Sequence, residues 1–376
     1  MKKITLLSIV AILLAFNANA KVWRVSNRVI NGLTVNADFT TLQAAIDVAS
    51  ASDTLYMMGS PASYGSGSFS KQLVVIGPGY WLEENDSTQA VQNHARVTNL
   101  SFNAGSQGTV VSGLYIYYGN YGRTQNWKMV YINTDSITIQ KNTIYGYASD
   151  SRTYTGFTIY INGDRESILI QQNWIVSHIN DGSSSYNGLI YGLYFSGIPT
   201  ISDVRNNFFR GYRSSTYGSY VSIVMGVDDT STDLDIINNI FIGNMTTYWT
   251  NQLNNIFVSG SKGGGGDLMM HNIGSSTQYP IDPPELNNQQ NVVMDSVFVD
   301  YDLYIDKGYL LKPYSQAIGA GANGGDCGLF GYQSGGIPYV LSGLPAIPAI
   351  YATEVESMGA NSVSVTIKAK SHNEHK

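Results

Sequence analysis

A single cysteine, Cys327, stands in 376 residues, so the chain can close no disulfide within itself. Its stability must rest on a core and on hydrogen bonds. Histidine is scarce as well. The five, at 94, 178, 271, 372 and 375, show no metal-ligand spacing, which argues against a dedicated zinc or copper site. Charged residues make up 13% of the chain, and acids outnumber bases 27 to 21. So sparse and negative a charge argues against nucleic acid and anionic membrane as partners. Past residue 20, no apolar run approaches the length needed to cross a bilayer.

Residues 1–20 stand apart. Lys2 and Lys3 precede an apolar run from Ile4 to Phe16, and "NANA" sets small residues before a cut at Ala20/Lys21. That order is expected of a secretory signal peptide, and the run is too short for a membrane anchor. Losing Lys2 and Lys3 leaves 19 bases (21 − 2) against 27 acids, a net charge of −8 (19 − 27). Glycine, asparagine, serine and tyrosine are plentiful instead, the composition of a turn-rich β protein.

A phrase recurs along the chain: "SITIQKNTIYGY" (136–147), "SILIQQNWIVSH" (167–178), "ISDVRNNFFRGY" (201–212) and "LDIINNIFIGN" (234–244). Aligned on Asn142, Asn173, Asn207 and Asn239, the copies lie 31, 34 and 32 residues apart. Ile139, Ile170, Val204 and Ile236 stand three before the asparagine, and Ile144, Ile175, Phe209 and Phe241 two after. Alternation on both sides of a fixed polar corner predicts two short strands joined by a tight bend. A third strand precedes each phrase, at 129–133, 158–162, 192–196 and 222–226. A fixed period of this size signals a solenoid. Three strands per turn without an intervening helix predict an all-β parallel β-helix with coils of about 32 residues, stacked at about 4.8 Å. The asparagines are then expected to form a structural ladder, each amide bonding the next and the free backbone groups of the corner.

Weaker copies extend the coil. Residues 108–120 fill the slot before, with Gly113 near the bend, and 254–274 fill the slot after, with a glycine-rich turn. "DFTTLQAAIDVAS" (38–50) predicts a capping helix with Leu42, Ala45, Ile46 and Ala49 on its apolar face. The expected divisions are a signal peptide at 1–20, an entry strand and capping helix at 21–55, the β-helix at 56–331, and a tail at 332–376. In the tail, "SVSVTIKAK" (362–370) alternates as a strand in a short β appendage.

"TLQAAIDVASASDTLYM" with "QLVVIGPGYWL" resembles the entry segment of the pectin-lyase-like right-handed parallel β-helix superfamily. Residues 295–331 resemble its closing segment, and "YVLSGLPAIPAIYATEV" resembles endings of exported Bacteroidota proteins. The resemblance implies the right-handed coil and export, over roughly residues 38–350. Members that cleave polyuronates use clustered acids on an outer face, often with calcium, and an Arg or Lys base.

In the 129–133, 158–162 and 192–196 strands, Tyr131, Tyr160 and Tyr194 are expected to point outward, beside Asn133, Asn162 and Ser196. Stacked tyrosines beside a polar row suit sugar rings. Just beyond come Asp135, Asp164 with Arg165, and Asp228 with Asp229. Acids on neighbouring coils can share a calcium ion, which makes Asp135, Asp164 and Asp228 candidate ligands, and Asp164, Arg165, Asp228 and Asp229 candidate catalytic groups. "NTDS" and "VDD" are similar to polygalacturonase motifs, yet the Gly-His-Gly and Arg-Ile-Lys elements of that group are absent. Arg165, Arg205, Arg210, Arg213 and Lys262 are the candidate bases for a lyase. The leading reading is an exported protein that binds an extended polysaccharide or other surface polymer without catalysis. A calcium-assisted lyase of acidic glycans and an adhesive surface module are the competing readings.

Overall fold

A computed structural model describes residues 20–30, 32–85, 88–117, 127–148, 155–179, 190–213, 220–225, 232–279, 286–331, 339–359 and 362–371. The signal segment, Asp228 and Asp229 lie outside these residues. Among them, no helix is long and apolar enough to cross a membrane.

Three parallel sheets wind into a right-handed parallel β-helix. Sheet 1 has ten strands from Val22–Val25 to Leu268–Met270, and sheet 2 has eight from Ala95–Val97 to Ile273–Gly274. Sheet 3 has eight, from Gly67–Phe69 to Lys262–Gly265. The coil of Asn142 shows the path: Thr138–Gln140 in sheet 1, a bend, Thr143–Ala148 in sheet 2, a loop, then Gly156–Ile161 in sheet 3. The next turn enters sheet 1 again at Leu169–Gln171.

Period-two alternation fills the coil. Ile139, Ile170, Val204 and Ile236 are buried in register in sheet 1, and Ile144, Ile175, Phe209 and Phe241 in sheet 2. Phe209 stacks on Phe241 at 5.3 Å, and Phe241 on Phe257 at 5.2 Å. Each such side chain contributes about 1.5–3 kcal/mol of burial.

The bend from sheet 1 to sheet 2 has one geometry. Lys141, Gln172, Asn206 and Asn238 take φ between 52° and 56°, and the fully buried asparagine follows. Asn173 Nδ2 donates to Ile139 O (2.8 Å) and to Asn207 Oδ1 (3.0 Å), and its own Oδ1 accepts from Asn142 N and Nδ2. The same bonds link Asn207 to Asn239, and onward to Asn255, Asn272 and Asn288. Beyond Asn239 the steps shrink to 16 and 17 residues. Residues 254–274 therefore hold two bends where the sequence suggested one coil. The glycine-rich run is no turn either: Lys262–Gly265 is a strand paired with Asn244–Tyr248.

A short helix, α1 (Leu42–Val48), starts at Thr41, whose Oγ1 accepts from Ala44 N, and buries Leu42, Ala45 and Ile46 against the first coils. A β-carbon on Gly67 would sit 2.7 Å from Leu42 Cδ2, so glycine lets the cap seat. After Gly274, residues 286–331 add no strand to the three sheets, although the sequence range 56–331 placed them in the coil. They run instead through short 3-10 turns over the outer face of sheet 2, packing Met294, Phe298, Tyr309 and Leu329 on Trp174, Phe208, Ile240 and Ile256. The chain ends in an antiparallel pair, Pro348–Gly359 with Ser362–Ser371.

Trp127 fixes a neighbouring position. A β-carbon on Gly156 would lie 2.3 Å from its buried indole. Gly156→Ala is expected to destabilise by about 2 kcal/mol through overpacking, read as a lower melting temperature. Unchanged melting would show that the indole has room to swing aside.

Candidate functional site

Tyr131, Tyr160 and Tyr194 occupy one outward register position on sheet 3, between buried pairs such as Ile159 and Ile161. Their rings lie 5.9 Å and 5.4 Å apart, the second pair stacked within 14°. Phe157 and Tyr191 join the cluster, stacked at 5.3 Å. The Lys128 ammonium sits 4.4 Å and 4.0 Å from the Tyr131 and Tyr160 ring centres. Burial raises the Tyr194 hydroxyl pKa, with Tyr160 adding to it. Beside it, Asn162 Nδ2 donates to Asn133 Oδ1 at 2.8 Å.

The turn from sheet 3 to sheet 1 brings together Asp135, Asp164, Arg165 and Glu166 around an open cavity of about 360 Å³. Its groups already serve the turn. Asp135 Oδ1 accepts from Glu166 N and faces Arg165 Nη1 at 4.0 Å, while Asp164 Oδ1 accepts from Ile198 N. Arg165 Nη2 donates to Asn133 Oδ1. Calcium takes about 6–8 oxygen ligands. Among the described residues, no three His, Cys, Asp or Glu side chains gather to hold a metal ion, and Asp228 lies outside those residues.

Of the other cationic candidates, Arg205 pairs with Asp203 at 2.5 Å on the outer face of sheet 1. Lys262 is buried in an ion pair with Asp267, which also accepts from Thr250 N. Both are held by their own coil. Arg210 is placed differently, on the outer face of sheet 2.

That face carries groups that the sequence reading did not assemble. Tyr117, Tyr145, Val176 and Arg210 share one column, and Tyr147 and His178 the next. Tyr145 Oη lies 2.7 Å from His178 Nδ1. Burial and neighbouring tyrosines push the Tyr145 hydroxyl up to about 12, while burial and Arg210 lower His178, leaving the pair neutral near pH 7. The segment crossing sheet 2 leaves this end open, and a cavity of about 400 Å³ forms between Trp81, Tyr115, Thr143, Tyr145, Trp174 and Tyr304. Arg210 stacks on Tyr304 at 3.5 Å and also lines an adjoining cavity of about 500 Å³.

No protein-family model matches this chain, and no curated protein matches it. Among solved structures, the pectate lyase Pel9A is similar with a TM-score of 0.38 and 12% identity, over 85% of this chain and 98% of its own. A PL6 family polysaccharide lyase from Pseudopedobacter saltans gives 0.26 and 11%, over 66% and 89%. A DFA-IIIase from Arthrobacter chlorophenolicus A6, without its lid, gives 0.22 and 12%, over 67% and 92%.

Proposed function

We propose that the protein is exported and binds an extended polysaccharide or other surface polymer along the outer face of sheet 3. The observation that carries this reading is the axial column of half-buried Tyr131, Tyr160 and Tyr194, in which Tyr160 stacks on Tyr194, Tyr131 tilts against Tyr160, and Lys128 lies over Tyr131 and Tyr160. Successive coils repeat at about 4.8 Å, so the column offers a regular series of hydroxyl groups and aromatic edges to a chain laid along the axis. Asn133 and Asn162 supply amides beside it. The signal-like residues 1–20 support export.

Polysaccharide depletion tests the reading. Tyr160→Ala and Lys128→Ala are each expected to melt as cooperatively as the wild type and to lower retention on the bound polymer about tenfold, near 1.4 kcal/mol. Unaltered retention in both would move the site off this face. The same incubations, with and without calcium, report the competing lyase chemistry at Asp135, Asp164 and Arg165. No absorbance from unsaturated product is expected. A calcium-dependent rise abolished by Arg165→Ala would replace binding with cleavage as the function.

A further inference from the structure

We infer that the C-terminal ribbon joins two copies of this chain, through antiparallel pairing of the Ser362–Ser371 strand with the same strand of a second copy. The ribbon is Pro348–Gly359 paired with Ser362–Ser371, and these two strands form a sheet of their own. It stands in solvent along most of its length, with Val355, Val363, Val365 and Ile367 at 69%, 61%, 58% and 59% exposure. A two-stranded ribbon by itself is marginal in water, and further strands stabilise it.

The two edges of the ribbon differ. On Pro348–Gly359 the register breaks at Ile350/Ala352 and again at Ser357/Gly359. That strand also opens on a proline, and Ile350 O accepts from Ala90 N at 2.7 Å. Bulges, proline and an occupied carbonyl blunt an edge against further pairing. Ser362–Ser371 has none of these. Its residues follow one another in the pairing without a gap, and no other described strand lies on its far side. A regular, exposed edge of this length is a template for one more strand.

The side chains along this edge select a copy of itself as that strand. Pairing must set apolar beside apolar, so about a two-fold axis one residue of the strand meets itself. With Thr366 on the axis, Val365 lies beside the partner's Ile367 and Val363 beside the partner's Ala369. Lys368 and Lys370 lie beside the partner's Ser364 and Ser362, long side chains against short ones. No lysine opposes a lysine. Ser364 stands opposite Glu356 in its own ribbon, so Lys368 looks across the partner's Ser364 toward the partner's Glu356. That separation is two strand spacings, about 9.5 Å, which two long side chains can bridge over a serine. Lys368 already meets Glu354 at 3.0 Å within its ribbon, so the joined sheet gives it a carboxylate on either side.

Sedimentation equilibrium of the full chain over a range of concentrations tests this, and a monomer–dimer equilibrium is expected. Ser364→Glu should tighten the dimer about fivefold and Ser364→Lys should loosen it about fivefold, because each change acts at two symmetry-related pairs. Both shifts should shrink in high salt. Within one ribbon the same changes act the other way, since a glutamate there opposes Glu356 and a lysine attracts it. Loss of dimer in Ser364→Lys therefore cannot come from a weakened ribbon. Under mild oxidation, Thr366→Cys should be captured as a disulfide-linked dimer, whereas Thr353→Cys, on the other strand, should not. Cys327 is buried and does not compete. The inference falls if the chain stays monomeric throughout, which would leave the edge to a strand of another protein. It also falls if both Ser364 variants shift the equilibrium in one direction, or if Thr353→Cys is captured as readily as Thr366→Cys.

Discussion

Asn207→Ala is expected to destabilise the protein by about 3 kcal/mol, because it strands buried backbone groups on the preceding coil. Asn207 is fully buried. Its Oδ1 accepts from Asn173 N at 2.9 Å and from Asn173 Nδ2 at 3.0 Å. Its Nδ2 donates to Ile170 O at 2.8 Å and to Asn239 Oδ1 at 3.0 Å. Alanine leaves the Asn173 N–H without its acceptor where water cannot replace it. It also takes a donor from Ile170 O, and each stranded group costs about 1–3 kcal/mol. Position along the row sets the size of the effect. Asn288 makes similar bonds at the end of the row but is only partly buried, so water can stand in, and Asn288→Ala should cost about 1 kcal/mol. Denaturant unfolding of both variants decides the matter. Equal losses at both positions would show that the bonds act locally and that burial does not set their worth.

Asn142, Asn173, Asn207 and Asn239 could be aligned from the sequence because each step between them takes one coil with its loops, 31, 34 and 32 residues. The period near 32 belongs to coil plus loop. Where Gly243 (φ 138°) and Gly260 (φ 98°) replace the loop with a tight turn, a full coil needs only 16 or 17 residues, and Asn255, Asn272 and Asn288 fall out of step with the search. The same shortening made "GSKGGGG" look like a turn, although Lys262–Gly265 adds a strand to sheet 3.

The tyrosine column was legible because three aromatic residues recur at one offset within a strand pattern. The cavity on sheet 2 was only half legible. Tyr145 and Arg210 both stand three residues after the bend asparagine, so the register alone brings them to one column. Nothing periodic announces Trp81 or Tyr304, which arrive from segments outside the repeat. Asp135 and Asp164 show what spacing alone leaves out. It places their carboxylates on neighbouring coils, but not the backbone N–H groups each accepts from at its turn, Glu166 N and Ile198 N.

Asp306→Ala is expected to loosen the segment that covers sheet 2, with a loss of about 3 kcal/mol at neutral pH. The carboxylate is fully buried and joins distant stretches of chain. Its Oδ2 accepts from Ser342 N at 2.5 Å and from the Tyr339 hydroxyl at 3.3 Å, and its Oδ1 from Lys307 N and from Asn85 Nδ2. Tyr339 in turn meets Tyr80, oxygen to oxygen at 2.5 Å. Alanine leaves the Ser342 and Lys307 N–H groups without an acceptor, so proteolysis should quicken near 339–344 while the coil persists. The pH dependence carries a definite sign. Burial raises the Asp306 pKa above its ordinary 3.8 against the opposing pull of these hydrogen bonds, so the folded state holds this proton more tightly than the unfolded chain. Stability from this group is then fully present below the unfolded value and is lost as pH rises through the folded one. Asp53 runs the other way, because its hydrogen bonds to Lys21 N, Trp23 and Ser50 N outweigh the effect of burial and lower its pKa. The wild type minus Asp306→Ala difference cancels that contribution. Acidifying from neutrality toward the ordinary carboxylate range should therefore widen the stability gap between the two proteins in denaturant unfolding. A gap that narrows on acidification would mean that Asp306 is held ionised by its donors, and that the hydrogen bonds from Ser342, Lys307 and Asn85 outweigh burial.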